Sequence, residues 1–140
     1  MKPDPKILKF IAEHHVFTLA TCSKKIPWCS TMFYVFDEKQ LAFYFTSDDQ
    51  TRHASEMKEN DIVSGAIALE TKITGRLRGL QFSGRTHILL DNQEKIARKA
   101  YLKKFPVARL HKLNLWSLDI DYFKYTDNRL GFGKKLIWKA

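Results

Sequence analysis

No apolar run in this 140-residue chain approaches the roughly 20 residues that a membrane-crossing helix needs. Met1 to Lys9 also lacks the apolar centre of a secretory leader, so the expected compartment is the cytoplasm. Cysteine is scarce: Cys22 and Cys29 are the only two. Two thiols in a cytoplasmic protein are reduced core residues by default, able at most to face each other across a hairpin. Neither falls at a zinc-like spacing with His14, His15, His53, His87 or His111, so no structural metal is assigned. Glycine is sparse as well, and the six present build no nucleotide signature. Gly131-Phe132-Gly133-Lys134-Lys135 lacks both the third glycine of a dinucleotide fingerprint and the Gly-Lys-Ser/Thr ending of a P-loop. Acidic residues are the last shortage, 15 against 24 Lys and Arg. The resulting charge of +9 favours an anionic partner, either nucleic acid or a phosphorylated cofactor.

What is abundant is apolar and aromatic. Hydrophobic residues make up 44% of the chain, with 10 Phe, 5 Tyr and 3 Trp, enough for one domain over 1–140 with a real core. Asp4-Pro5 reads as a cap and first helical residue, with Ile7, Leu8 and Ile11 on one face and an end near His14. Val16 to Cys22 reads as a buried strand closed by Ser23-Lys24-Lys25, and Trp28 to Phe36 as a second. A third, Leu41 to Thr46, completes a predicted three-stranded meander. Ile62 to Leu69 and Leu77 to Leu90 are the next two strands, with Ser64 and Gly65 leaving room for a close neighbour and Gly79 and Gly84 as bend points. Asp91 and Glu94 have the spacing of a capping box ahead of a helix reaching Phe105-Pro106. Leu115 to Thr126 and Leu130 to Trp138 supply the remaining strands. Hairpins without regular crossovers predict a mainly β domain with minor α: a six- or seven-stranded antiparallel barrel with two or three short helices.

One stretch changes period partway. Leu41, Phe43 and Phe45 alternate as in a strand, whereas Ala54 and Met57 follow helical spacing, and the hinge between them carries Thr46, Ser47, Thr51, Arg52 and His53. Hydroxyls, a guanidinium and the free amides of a helix start can seat a phosphate. The same residues are also what a capped strand-to-helix junction uses for structure alone.

Further residue blocks carry a family resemblance. They are Phe43-Tyr44 with Thr51-Arg52-His53-Ala54, then Arg78 to Gly84, Ala97 to Tyr101, Phe105 to Arg109, Phe123 to Asn128, and Leu130 to Lys135 with Trp138. On these the chain resembles the FMN-binding split-barrel superfamily, to which pyridoxamine phosphate oxidase belongs, and within it the small YhbP-like bacterial group. The resemblance implies a split β-barrel that is a homodimer with FMN at the subunit interface, and a flavin-dependent oxidoreductase acting on a small molecule. It places the FMN phosphate on Thr46, Ser47, Thr51 and Arg52, with His53 where the oxidases carry lysine. The flavin ring would lie along Trp28, Cys29, Ser30, Thr31 and Met32, a strand without the basic residues that the oxidases place there. Gln81 would reach the ring edge, and Lys134 or Lys135 the cofactor of the partner subunit. No acid or base is assigned. Two other readings stand beside this one: a basic barrel binding single-stranded nucleic acid through Trp28, Tyr34 and Phe43, and a haem-handling split barrel using His14, His15 or His53.

Overall fold

The computed structural model describes residues 1–140. Helix α1 (Pro5–Glu13) begins as expected, the Asp4 carboxylate accepting the Lys6 amide at 2.8 Å with proline just inside the helix. Its buried face is Ile7, Phe10 and Ile11. Strands β1 (Val16–Ser23) and β2 (Ile26–Phe33) follow as a hairpin whose two turn residues, Lys24 and Lys25, both have positive φ (52° and 65°). That backbone matches the twist of a two-residue hairpin, although lysine is not the residue that adopts it most easily.

The expected second strand, Trp28 to Phe36, is interrupted. The Tyr34 ring is buried, its amide donates to the His15 carbonyl (3.0 Å), and its hydroxyl donates to the Ile11 carbonyl (2.6 Å). The chain is tied there to α1 and resumes as β3 (Val35–Asp37), which pairs with β4 (Ala42–Thr46). The three-stranded meander therefore does not form. Chain order continues through α2 (Arg52–Glu59), β5 (Ile62–Ala68), β6 (Arg78–Ile88), α3 (Asp91–Lys104), β7 (Leu115–Asp127) and β8 (Lys135–Lys139). The sheet order is β2-β1-β5-β6-β7-β4-β3, every pair antiparallel, so consecutive strands β2 and β3 end at opposite limits of one curled sheet. This is a half-barrel of seven strands, with β8 added to the far half of β7.

Two close approaches shape the curl. A Cβ on Gly65 would collide with the Phe82 ring, and one on Gly84 would collide with the Asp119 carbonyl at the register shift between β6 and β7. The capping box at α3 is not made. Asp91 has φ 54° and its carboxylate caps nothing, while Glu94 instead holds Arg98 (2.6 Å). The paired-thiol arrangement is not made either: Cys22 sits opposite Pro27 and Cys29 opposite Ala20, and both are free.

Inside the curl lies one large apolar cluster, with Phe17, Phe43, Phe45, Phe82 and Phe123 at its centre. A smaller cluster joins Ala42 and Tyr44 of β4 to Ala97 and Tyr101 of α3. The outer face of β2, β1, β5, β6, β7 and β8 is uncovered, and strand register aligns Thr31, Thr18, Ala66, Gln81, Lys124 and Ile137 across it. No helix is long and apolar enough to cross a membrane.

Candidate functional site

The hinge is built by the change of period that the sequence displays. β4 delivers Thr46 and Ser47 to the end of the sheet, and Thr51 then caps α2 by accepting the Ala54 amide (3.3 Å). Ser47 is buried, its amide tied to the Asn114 carbonyl (3.1 Å). Its hydroxyl lies 2.7 Å from His53 Nε2 and 3.3 Å from Thr51 Oγ1. Three of the predicted residues thus converge in one polar knot. Partial burial lowers the His53 pKa below the ordinary histidine value, opposed by the charge of Glu56, so the ring favours its neutral form.

Arg52 is held from two sides. Its Nε donates to Glu56 Oε2 at 2.9 Å, and its guanidinium carbon sits 4.2 Å from the centre of the Trp28 ring. Glu56 is itself buried and accepts the Thr21 hydroxyl at 2.9 Å. The hydrogen bond from Arg52 holds the Glu56 carboxyl below the usual carboxylate range, with burial opposing and Thr21 assisting. The terminal nitrogens of Arg52 are left without a protein acceptor, and its side chain is 46% exposed. Sequence reasoning missed Glu56 and Thr21. The Arg52–Glu56 spacing of four on a helix was a readable signal for the first, but nothing in the chain announces the second, which comes from β1.

Beside the knot, Thr46, Ser47, Asp48, Asp49, Lys112 and Asn114 line a cleft of about 370 Å³. Its two aspartates oppose an anion. Asp49 is partly offset by Lys58 at 3.3 Å, so the favourable side for a phosphate is the one toward Arg52.

The other predicted residues do not form one surface within the protomer. Along β2, Trp28, Ser30 and Met32 share the side on which Met32 packs against the aromatic core, whereas Cys29 and Thr31 share the open outer face. Ser30 Oγ is buried with no hydrogen-bond partner. Gln81 is exposed on the outer face in the same row as Thr31, three strands away, about 14 Å by the usual strand spacing. Lys134 is exposed in the β7–β8 turn. The hinge pairs with β7 at Leu115 and the turn with β7 at Thr126, which separates them by about 35 Å of strand.

The nucleic-acid surface fails on burial. Tyr34 and Phe43 are fully buried and cannot stack on bases, and only Trp28 of that trio reaches solvent. Among the haem candidates, His14 Nδ1 lies 2.8 Å from the Phe10 carbonyl with its ring against Phe10, and His53 is held by Ser47. His15 is exposed.

A curled antiparallel half-barrel with a polar knot where the fourth strand enters a short helix defines a split-barrel protein of the oxidase-like class. Comparison with known sequences gives the family: residues 3–127 match the pyridoxamine 5'-phosphate oxidase family, and the chain belongs to it. The UPF0306 protein YhbP of Salmonella arizonae is 42% identical over 132 residues, covering 94% of this chain and 90% of that protein. Among solved structures, a haem-binding protein from Mycobacterium smegmatis superposes with a TM-score of 0.79 at 19% identity over 92% of this chain, which spans about half (54%) of that protein's length. An FAD-binding protein from Mesorhizobium loti superposes with a TM-score of 0.69 at 16% identity, over 85% of this chain and 90% of that one.

Proposed function

We propose that the protein is an FMN-binding homodimer whose hinge anchors the ribityl phosphate, and that it works as a flavin-dependent oxidoreductase on a small molecule. The observation that carries this reading is the convergence of Ser47, Thr51 and His53 at the start of α2, next to an Arg52 whose terminal nitrogens are free. The donors that fit a phosphate are the Ser47 hydroxyl, the His53 imidazole and a guanidinium kept in place by Glu56 and Trp28, while the Thr51 hydroxyl, which donates to the Asp48 carbonyl (2.7 Å), holds the turn that presents them. The unpartnered Ser30 hydroxyl on β2 fits a polar edge of the ring laid along that strand. When bound, the flavin supplies the redox chemistry, and the protein contributes binding, orientation and electrostatics.

Dimerisation completes the site in this reading. The open outer face carries exposed Val16, Phe33, Ile62 and Ile137 among small residues, a surface suited to a second copy. Lys134 and Lys135 then belong to the partner's cofactor, since they stand at the far end of β7 from their own hinge.

Quenching of FMN fluorescence by purified protein tests the proposal. Wild type quenches FMN and Arg52→Ala binds at least about ten-fold more weakly, the scale of a lost charge-assisted contact. Absence of quenching by wild type sinks the reading, and equal binding by Arg52→Ala moves the phosphate away from the hinge. A haem-handling protein is the second reading, favoured by the Mycobacterium smegmatis neighbour and by the exposed imidazole of His15. It predicts a Soret band on haem titration that shifts in His15→Ala.

A further inference from the structure

At the end of the half-barrel away from the hinge, α1, β6 and the corner after β7 enclose a cavity of about 280 Å³. Four cations line it, Lys6, Lys9, Arg78 and Arg129, against two carboxylates, Glu13 and Asp127. The carboxylates are already taken. Asp127 is buried, accepts the Tyr125 hydroxyl (3.1 Å), and receives Arg129 through both Nε (3.1 Å) and Nη2 (2.9 Å). Glu13 accepts Arg78 Nη1 at 3.2 Å and lies 4.0 Å from Lys9 Nζ. Lys6 forms no ion pair, and Arg78, with 17% of its side chain exposed, keeps its Nε buried without any acceptor. The cavity therefore holds a formal excess of two positive charges and an orphaned guanidinium donor. An unmet buried donor costs free energy that a ligand acceptor recovers.

We infer that this cavity is a second anion site, which takes the phosphate group of a small molecule or inorganic phosphate on Arg78 Nε, Lys6 and Lys9. A dianion matches the excess charge, whereas a single carboxylate would leave half of it. The site is separate from the hinge: Arg78 pairs with Asp127 at one end of β7 and Thr46 with Leu115 at the other.

The arginine Nε–H resonances in a ¹⁵N correlation spectrum read this out directly, with the Arg78 signal identified by its disappearance in Arg78→Lys. Titration with inorganic phosphate and with phenyl phosphate, at constant ionic strength, moves that signal saturably. Lys6→Ala weakens binding about ten-fold. Lys95→Ala, which removes the same charge from α3, leaves it unchanged, as does Arg52→Ala. Tighter binding of phenyl phosphate assigns the site to phosphorylated metabolites, and equal binding assigns it to the phosphate group alone; both support the site. An Arg78 resonance that stays still, or equal losses in Lys6→Ala and Lys95→Ala, overturns it. Should Arg78→Lys fail to fold, the two lysine variants decide by the phosphorus line width of phenyl phosphate.

Discussion

β4 and β2 are both short strands rich in aromatic and β-branched residues, yet β4 is covered on both faces and β2 only in part, on the side of Ser30 and Met32. β4 lies between β3 and β7, with Phe43 and Phe45 in the aromatic core and Ala42 and Tyr44 under α3. β2 is the last strand of the path, paired only with β1, and leaves Trp28 and Phe33 about half exposed, with Arg52 over one ring and Phe105 against the other. Coverage is a property of the neighbours rather than of the strand. The less covered strand is the one to which the proposed reading gives the cofactor and the second subunit. Burial shows in the chemistry of β4 as well: desolvation and the nearby Asp37 push the Tyr44 phenol up to about 12.

Substitutions sharpen or break this contrast. Phe43→Ala empties the middle of the aromatic core and should lower stability by about 3–5 kcal/mol in urea unfolding. Gly84→Ala forces a methyl against the Asp119 carbonyl and should cost about 1–3 kcal/mol by the same measurement, with the β6–β7 register shift as the strained element. Trp28→Ala should cost less than about 1 kcal/mol, the worth of an exposed cation–π contact, while weakening FMN binding by freeing Arg52. A loss from Trp28→Ala as large as that from Phe43→Ala would mean that β2 is structurally covered and the contrast is wrong.

The smallest effect is a pH dependence at the knot. His53 has a folded-state pKa below its ordinary value, so as pH falls below about 6.5 the unfolded chain takes up the proton first. The contribution of His53 to stability is therefore present at neutral pH and lost on acidification. His53→Gln should flatten the stability profile between about pH 7 and 5. A bound phosphate dianion favours the charged imidazole, so FMN affinity should rise as pH falls from 8 toward 6.5, and should do so less in His53→Gln.

Much of this was legible in the residues. The change of period from Phe45 to Ala54 placed the hinge, Asp4-Pro5 placed α1, Gly65 marked a close approach that the fold makes, and Gly84 a bend, found at the β6–β7 register shift; Gly79, the other expected bend, lies in regular register. The break at Tyr34 was not legible, because its cause is a buried hydroxyl bonded to α1, a long-range contact that leaves the local alternation intact. The capping box at Asp91 misled for a related reason. The spacing was right, but Glu94 is drawn to Arg98 one turn along, and Asp91 adopts a backbone from which it cannot cap. In the site, the residue types at the hinge could be named in advance. Their division could not: strand pleat sends Trp28, Ser30 and Met32 to one side and Cys29 and Thr31 to the other. The bond from Thr21 to Glu56, the carboxylate that holds Arg52, depends on β1 lying beside α2, which only the folded chain provides.

The central claim is that the hinge recognises a phosphate, and the comparison of FMN with riboflavin tests it most directly, because the two differ only in that group. Titrated by fluorescence quenching, wild type should bind FMN at least about ten-fold more tightly than riboflavin, and Arg52→Ala should lose most of that preference while its riboflavin affinity stays near that of wild type. Equal affinity of wild type for the two flavins, or a preference that survives Arg52→Ala intact, would contradict the account.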